Sequence, residues 1–313
     1  MKKLFFVMTL FGAMMMYVSP VGADPTGGVM LASDKLPAHA RMRLAVEIDS
    51  ARREHPKAFH ALRAVRNDLP ALDANKRGRF APIPAILKSM GKDALLPMLE
   101  ELAFRGQPKG NLADSAWIAW RAGVIEAVGM LRDTRAEIVL VAILDGPETE
   151  FHVVRAAAAA LGRIGTDTAA QKLVMMSKVQ GAKQKAVLAG MGECRRKSIA
   201  LALSEAANSA PDGATARIIA HSLGDVGSAW AWKTSVIASS GEEAPVRAIA
   251  AKALVAVFVA YGGDVRKTAS NAIMVVDDPS TPALVEAAKK GASSELVIVL
   301  DALAKRFAKN PTR

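Results

Sequence analysis

Glycine recurs along this chain at a near-constant step, each time near the end of an apolar helical stripe. Gly129, Gly162, Gly192 and Gly224 follow one another at intervals of 33, 30 and 32 residues. The clearest unit is Val153-Val154-Arg155-Ala156-Ala157-Ala158-Ala159-Ala160-Leu161-Gly162-Arg163-Ile164-Gly165-Thr166-Asp167, followed by 168–177. Its spacing predicts a first helix from about Phe151, with Val154, Ala158 and Leu161 on one stripe and Gly162 and Gly165 letting it end. A second helix carries Leu173 and Met176 as its apolar positions. One such pair cannot bury its apolar face alone, so a period near 32 residues commits the chain to stacking pair upon pair.

The stretch 81–308 holds 228 residues, room for about seven units. Breaks at Gly106-Gln107-Pro108, Asp145-Gly146-Pro147, 209–213, 241–245 and 278–282 fall where turns between units are needed. Asp114, Ser280 and Thr281 are expected to cap helix N-termini through their side-chain oxygens. A gap-free overlay at an offset of 111 places Val154-Arg155 on Val265-Arg266 and Leu173 on Leu284. The stretch 245–257, with Val246-Arg247, makes an equally good first helix, so the pairing of the last four helices stays open by one helix. Residues 255–263 lack the Leu-Gly-x-Ile-Gly ending and are expected to be irregular. Composition agrees with thin, closely packed helices: 51% of the chain is hydrophobic but only 5% is aromatic.

Ahead of the array, 39–54 aligns Leu44, Ile48 and Ala51, and a helix from Pro56 turns Phe59, Leu62 and Val65 inward until Asp68-Leu69-Pro70 stops it. With a basic linker over 74–80, these form a helical cap over 37–80 at the end of the stack. Residues 24–36 have no periodicity and read as a flexible lead-in, and 309–313 as a tail.

Val154-Arg155-Ala156-Ala157 through Leu161-Gly162-Arg163-Ile164-Gly165 resembles the HEAT-like repeat family, especially the short bacterial form of phycobilin-lyase-type proteins. Echoes stand at Val246-Arg247, Val265-Arg266 and Leu223-Gly224-Asp225-Val226-Gly227. The resemblance implies an all-α fold: a right-handed α-solenoid of stacked helix pairs whose second helices line the concave side. It implies a scaffold or binding surface, with a lyase-like enzyme or enzyme accessory as a lesser alternative.

Residues 1–23 read as a secretory signal. Lys2 and Lys3 precede the apolar run 4–18, and Val21 and Ala23 sit at the −3 and −1 positions of a cleavage site. The alternative is an uncleaved anchor, but 15 apolar residues fall short of the ~20 needed to span a bilayer. The expected location is therefore periplasmic or secreted, with no transmembrane span after cleavage.

The chain carries 41 Lys and Arg against 30 Asp and Glu, a net +11. Without Lys2 and Lys3 this is +9, and 35–79, with 11 basic and 5 acidic residues, holds +6 of it. Charge so concentrated suits a solvated cap or a contact with an anionic envelope polymer. Nucleic acid ranks low because only Phe59 and Phe80 are there to stack on bases.

No catalytic constellation emerges. None of His39, His55, His60, His152 and His221 has a second histidine at the i,i+4 spacing that puts two imidazoles on one helical face, and His55 and His60 read as two surface histidines rather than a zinc site. Cys194 precedes Arg195-Arg196-Lys197, cations that lower a thiol's pKa, but no nearby His serves as its base; it reads as a free cysteine at a turn. The pairs Glu242-Glu243 and Asp277-Asp278 sit in turns, where capping is the ordinary role. Neither a catalytic residue, a cofactor nor a metal is predicted.

Trp117 and Trp120 share a stripe with Val124 and Val128, which is core geometry. Trp230 and Trp232 stand about 200° apart on a helix, so one of them must reach a surface. The expected function is a non-enzymatic scaffold that docks a protein partner, with Trp230, Lys233, Arg195 and Arg196 as contacts.

Overall fold

The structure is a computed structural model that describes residues 27–310. The stretch 1–23, expected as a secretory signal, and the last three residues of the expected tail lie outside the described residues. Every regular element among the described residues is a helix. In order they are α1 (Ala38–Glu54), α2 (Pro56–Asn67), α3 (Leu69–Ala74), α4 (Ile83–Ser89), α5 (Leu95–Ala103) and α6 (Asp114–Leu131). Then come α7 (Glu137–Asp145), α8 (Phe151–Ile164), α9 (Asp167–Lys178), α10 (Gln184–Gly190), α11 (Lys197–Asn208) and α12 (Gly213–Val226). The chain finishes with α13 (Ala229–Trp232), α14 (Ser235–Ala238), α15 (Glu243–Ala260), α16 (Gly263–Val276), α17 (Thr281–Lys289) and α18 (Ser294–Ala308).

These helices pack as two sets. In one, α4, α6, α8, α10, α12, α16 and α18 each touch the next; in the other, α5, α7, α9, α11, α15 and α17 do so. The last helices thereby find their register. Helix α15 lies against α11, and α16 against α12, so α16 and α17 stand in the places of α8 and α9, as the 111-residue overlay has it. The short helices α13 and α14 are inserted between α12 and α15.

The periodic glycines sit at these crossings. A β-carbon on Gly129 would overlap the backbone of Ala160; one on Gly162 would lie 2.8 Å from Cys194 N, and one on Gly224 3.0 Å from Ala272 Cβ. Gly162 therefore serves close packing, and the end of α8 falls to Gly165, whose φ of +71° suits a residue without a side chain. Polar bonds repeat at the same step. Arg155 donates to Glu126 at 3.1 Å, Thr166 to Glu137 at 2.9 Å and Arg132 to the Arg163 carbonyl at 2.7 Å, across 29, 29 and 31 positions.

Several expectations shift. Helix α15 continues to Ala260 instead of becoming irregular at 255, because Leu254, Val257 and Phe258 are buried and the first glycine is Gly262. Asp114 is the first residue of α6 and pairs with Lys109 rather than capping. At α17 Ser280 holds the N-cap position, but its hydroxyl donates to the Asp278 carboxylate instead of accepting from the first turn, and Thr281 is already the first helical residue. Side-chain caps form instead at Glu150, Thr166, Asp212 and Ser293.

The stretch expected as a flexible lead-in is bound from Gly27 onward. Val29 N donates to Glu101 O at 2.8 Å and Met30 N to Leu102 O at 3.1 Å, supplying donors to the end carbonyls of α5 that have no partner within their own helix. Leu36 is buried, and α1 and α2 both pack on α5. At the other end, Asn310 Nδ2 donates to Met274 O at 2.9 Å.

Candidate docking surface

The two expected aromatic faces of 230–232 are divided by α13. Trp232 is buried, and its indole N–H donates to Val226 O at 3.1 Å, tying the insert to the end of α12. Two residues earlier, Trp230 points outward at 61% exposure, with Lys233 Nζ 4.0 Å from the centre of its ring. Helix α14 continues the surface: Val236 is 69% exposed, while Ile237 is half-buried against the core. Ser239 and Ser240 close the turn through bonds to the carbonyls of Val236 and Ile237.

Beside Val236 and Ile237 opens a small polar pocket of about 90 Å³ lined by Arg132, Arg163, Glu193, Arg195 and Arg196. The structure thus places two of the expected contacts, Arg195 and Arg196, at the foot of the insert that carries the other two. Their side chains are engaged within the protein. Arg195 donates to Glu193 at 3.2 Å, and Arg196 pairs with Asp167 and with Glu242. Arg163 bonds Glu193 at 2.9 Å from the opposite side. Burial alone would raise the Glu193 carboxyl, but the Arg163 and Arg195 guanidiniums outweigh it and hold the group below its ordinary value. Four guanidiniums face the three carboxylates of Asp167, Glu193 and Glu242, leaving a surplus of positive charge around the pocket.

Val236 and Arg132 are parts of this surface that the sequence reading did not single out. A signal for Val236 exists: Val236-Ile237-Ala238 is a short apolar run stranded between Thr234-Ser235 and Ser239-Ser240-Gly241, with no helical stripe to join. Arg132 occupies a left-handed C-cap at φ 54°, a placement that only the packing of α6 reveals.

The remaining candidates have internal roles. Cys194 is fully buried beneath Gly162, and burial pushes its thiol up to about 12 against the pull of Arg195. The expected lowering by neighbouring cations is overturned because Arg195 and Arg196 spend their charge on carboxylates while the sulfur sits in apolar surroundings. His55 faces Asp93 at 3.7 Å, and His60 faces Arg63 at 3.2 Å, so the two point to different partners. Among the described residues no three His, Cys, Asp or Glu side chains are placed to hold a metal ion. Trp120 is fully buried with its N–H on Glu101 at 2.9 Å, but Trp117 is only half-buried, held between the guanidiniums of Arg66 and Arg121. Glu243 bonds Arg247 at 2.7 Å rather than capping α15. Among the described residues no helix is long and apolar enough to cross a membrane.

No protein-family model matches the chain, and no curated protein matches it in sequence.

Proposed function

We propose that this protein is a non-enzymatic α-solenoid scaffold of the HEAT-like kind, exported to the periplasm or beyond, that docks a protein partner on the α13–α14 insert. The solenoid reading rests on the two sets of helices stacked in chain order and on the cross-links recurring at the glycine step. Export rests on the N-terminal signal sequence.

One observation carries the docking site. The insert is pinned by a fully buried tryptophan while a second tryptophan and a valine on the same short segment face water. An exposed aromatic on a segment anchored by a buried neighbour and flanked by cations has the make-up of an interface anchor: a large apolar contact beside charge that orients the partner. The complementary surface is an apolar hollow with an acidic rim.

The test is capture of partners from the source organism's envelope by tagged wild-type protein and by the Trp230→Ala/Val236→Ser double variant, washed at low and high salt. The expected result is a protein retained by the wild type through the high-salt wash and absent from the variant. Equal retention by both proteins would move the site off the insert. Material washed away by salt alone would favour the anionic-polymer reading through the basic N-terminal helices.

A further inference from the structure

Three arginines of the N-terminal helices line a cavity of about 230 Å³ between α2 and α5, with a fourth just after α5. Four arginines line it, Arg52, Arg63, Arg66 and Arg105, against two carboxylates, Glu100 and Glu101. Both carboxylates are buried and committed inward: Glu100 pairs with Arg52, while Glu101 accepts from the Trp120 indole at 2.9 Å. Arg52 stacks on the Phe59 ring at 4.4 Å. Arg66 is 93% buried, donates to Pro108 O at 2.9 Å, and keeps its Nε without a hydrogen-bond partner among the described residues. At the rim, Arg63 and Arg105 are exposed, and neither has a carboxylate partner among the described residues. Phe59, Leu62 and Pro97 supply the apolar part of the lining.

We propose that this cavity is a binding site for a phosphate monoester that carries an apolar body. Four guanidiniums against two carboxylates leave two positive charges, which match a dianion, and a phosphate monoester is dianionic above its second pKa of about 6. Guanidinium forks fit the oxygens of such a group in pairs, which an ammonium does not. A simple surface patch would carry its cations on exposed stems; here one guanidinium is buried and another lies against an aromatic ring, so the site is built into the junction between cap and array. Phe59, Leu62 and Pro97 provide the contact for the ester's carbon side.

Calorimetric titration of the full chain with phenyl phosphate, inorganic phosphate and benzyl alcohol tests the proposal. Phenyl phosphate is expected to bind saturably and about tenfold tighter than inorganic phosphate, with benzyl alcohol silent. Arg63→Gln/Arg105→Gln, two exposed rim changes, should weaken phenyl phosphate at least tenfold, while Lys57→Gln on the same helix but outside the cavity leaves it unchanged. Phenyl phosphate should also raise the thermal midpoint of the wild type, a readout that needs no variant. Co-sedimentation with phosphatidylcholine vesicles containing phosphatidic acid separates the sources. Binding abolished by the double variant assigns a lipid headgroup; no vesicle binding alongside phenyl phosphate binding assigns a soluble ester. No saturable binding of phenyl phosphate, or binding that benzyl alcohol matches or the rim changes leave intact, would overturn the proposal.

Discussion

Gly129 of α6 lies against Ala160 of α8 so closely that a β-carbon on the glycine would overlap the alanine's Cα. The same closeness recurs one step along the chain, where Gly162 meets Cys194. Gly129→Ala should therefore cost about 1–3 kcal/mol, the ordinary penalty for overpacking a fitted core. Gly262→Ala, where the added carbon meets nothing within 4 Å, should leave stability within about 0.5 kcal/mol. Urea unfolding of the two variants checks the difference.

The tryptophans of the insert should separate stability from binding. Trp232→Ala removes a buried ring and its bond to Val226 O, and is expected to cost about 3–5 kcal/mol. Trp230→Ala removes a ring that is 61% exposed, and should leave the unfolding midpoint nearly unchanged. Thermal melts of both variants give the comparison, and an equal loss in the two would contradict the division of roles.

Cys194 should be chemically silent while the protein is folded. With the thiol pushed up to about 12, almost no thiolate exists at pH 8, and the sulfur is also shielded from reagent. Iodoacetamide labelling is expected to be negligible in buffer and rapid in urea. Because the folded pKa lies above the unfolded one, stability is full below pH 9 and declines as the pH rises through the interval from 9 to about 12. Cys194→Ala should remove that alkaline decline.

Two histidines should titrate on opposite sides of 6.5. The bond to Asp225, 3.0 Å from Nδ1, raises His221, so its share of stability is full in mild acid and is lost as the pH climbs through its raised midpoint. Burial beside Phe80 and Phe151 lowers His152, which instead withdraws stability as the pH falls below 6.5. Imidazole NMR titrations give both midpoints, and Asp225→Asn should bring His221 down while leaving His152 in place.

The helices of 81–308 were legible because their apolar stripes and turn residues are local signals, repeated often enough to confirm one another. Gly129 shows what was not legible: a glycine that ends a helix and one that admits a neighbouring helix look alike until the neighbour's position is known. The lead-in misled for a related reason. Its order comes from α5 carbonyls more than 70 positions away, and a stretch without periodicity carries no trace of such a partner. At the candidate surface, spacing alone required that Trp230 or Trp232 reach water; only the packing of α13 on α16 decided which. The chemistry of Cys194 failed at sequence level because neighbouring charge is visible there, while desolvation is a property of the fold.

The most direct test of the docking scaffold places a photo-crosslinking residue at position 236 on the insert, and separately at position 201, where Leu201 is 50% exposed on α11. After irradiation in the envelope of the source cell, the account predicts one discrete protein adduct from position 236, none from position 201, and loss of the adduct in Trp230→Ala. An adduct from position 201 alone, or one from position 236 that survives Trp230→Ala, would contradict docking at the insert.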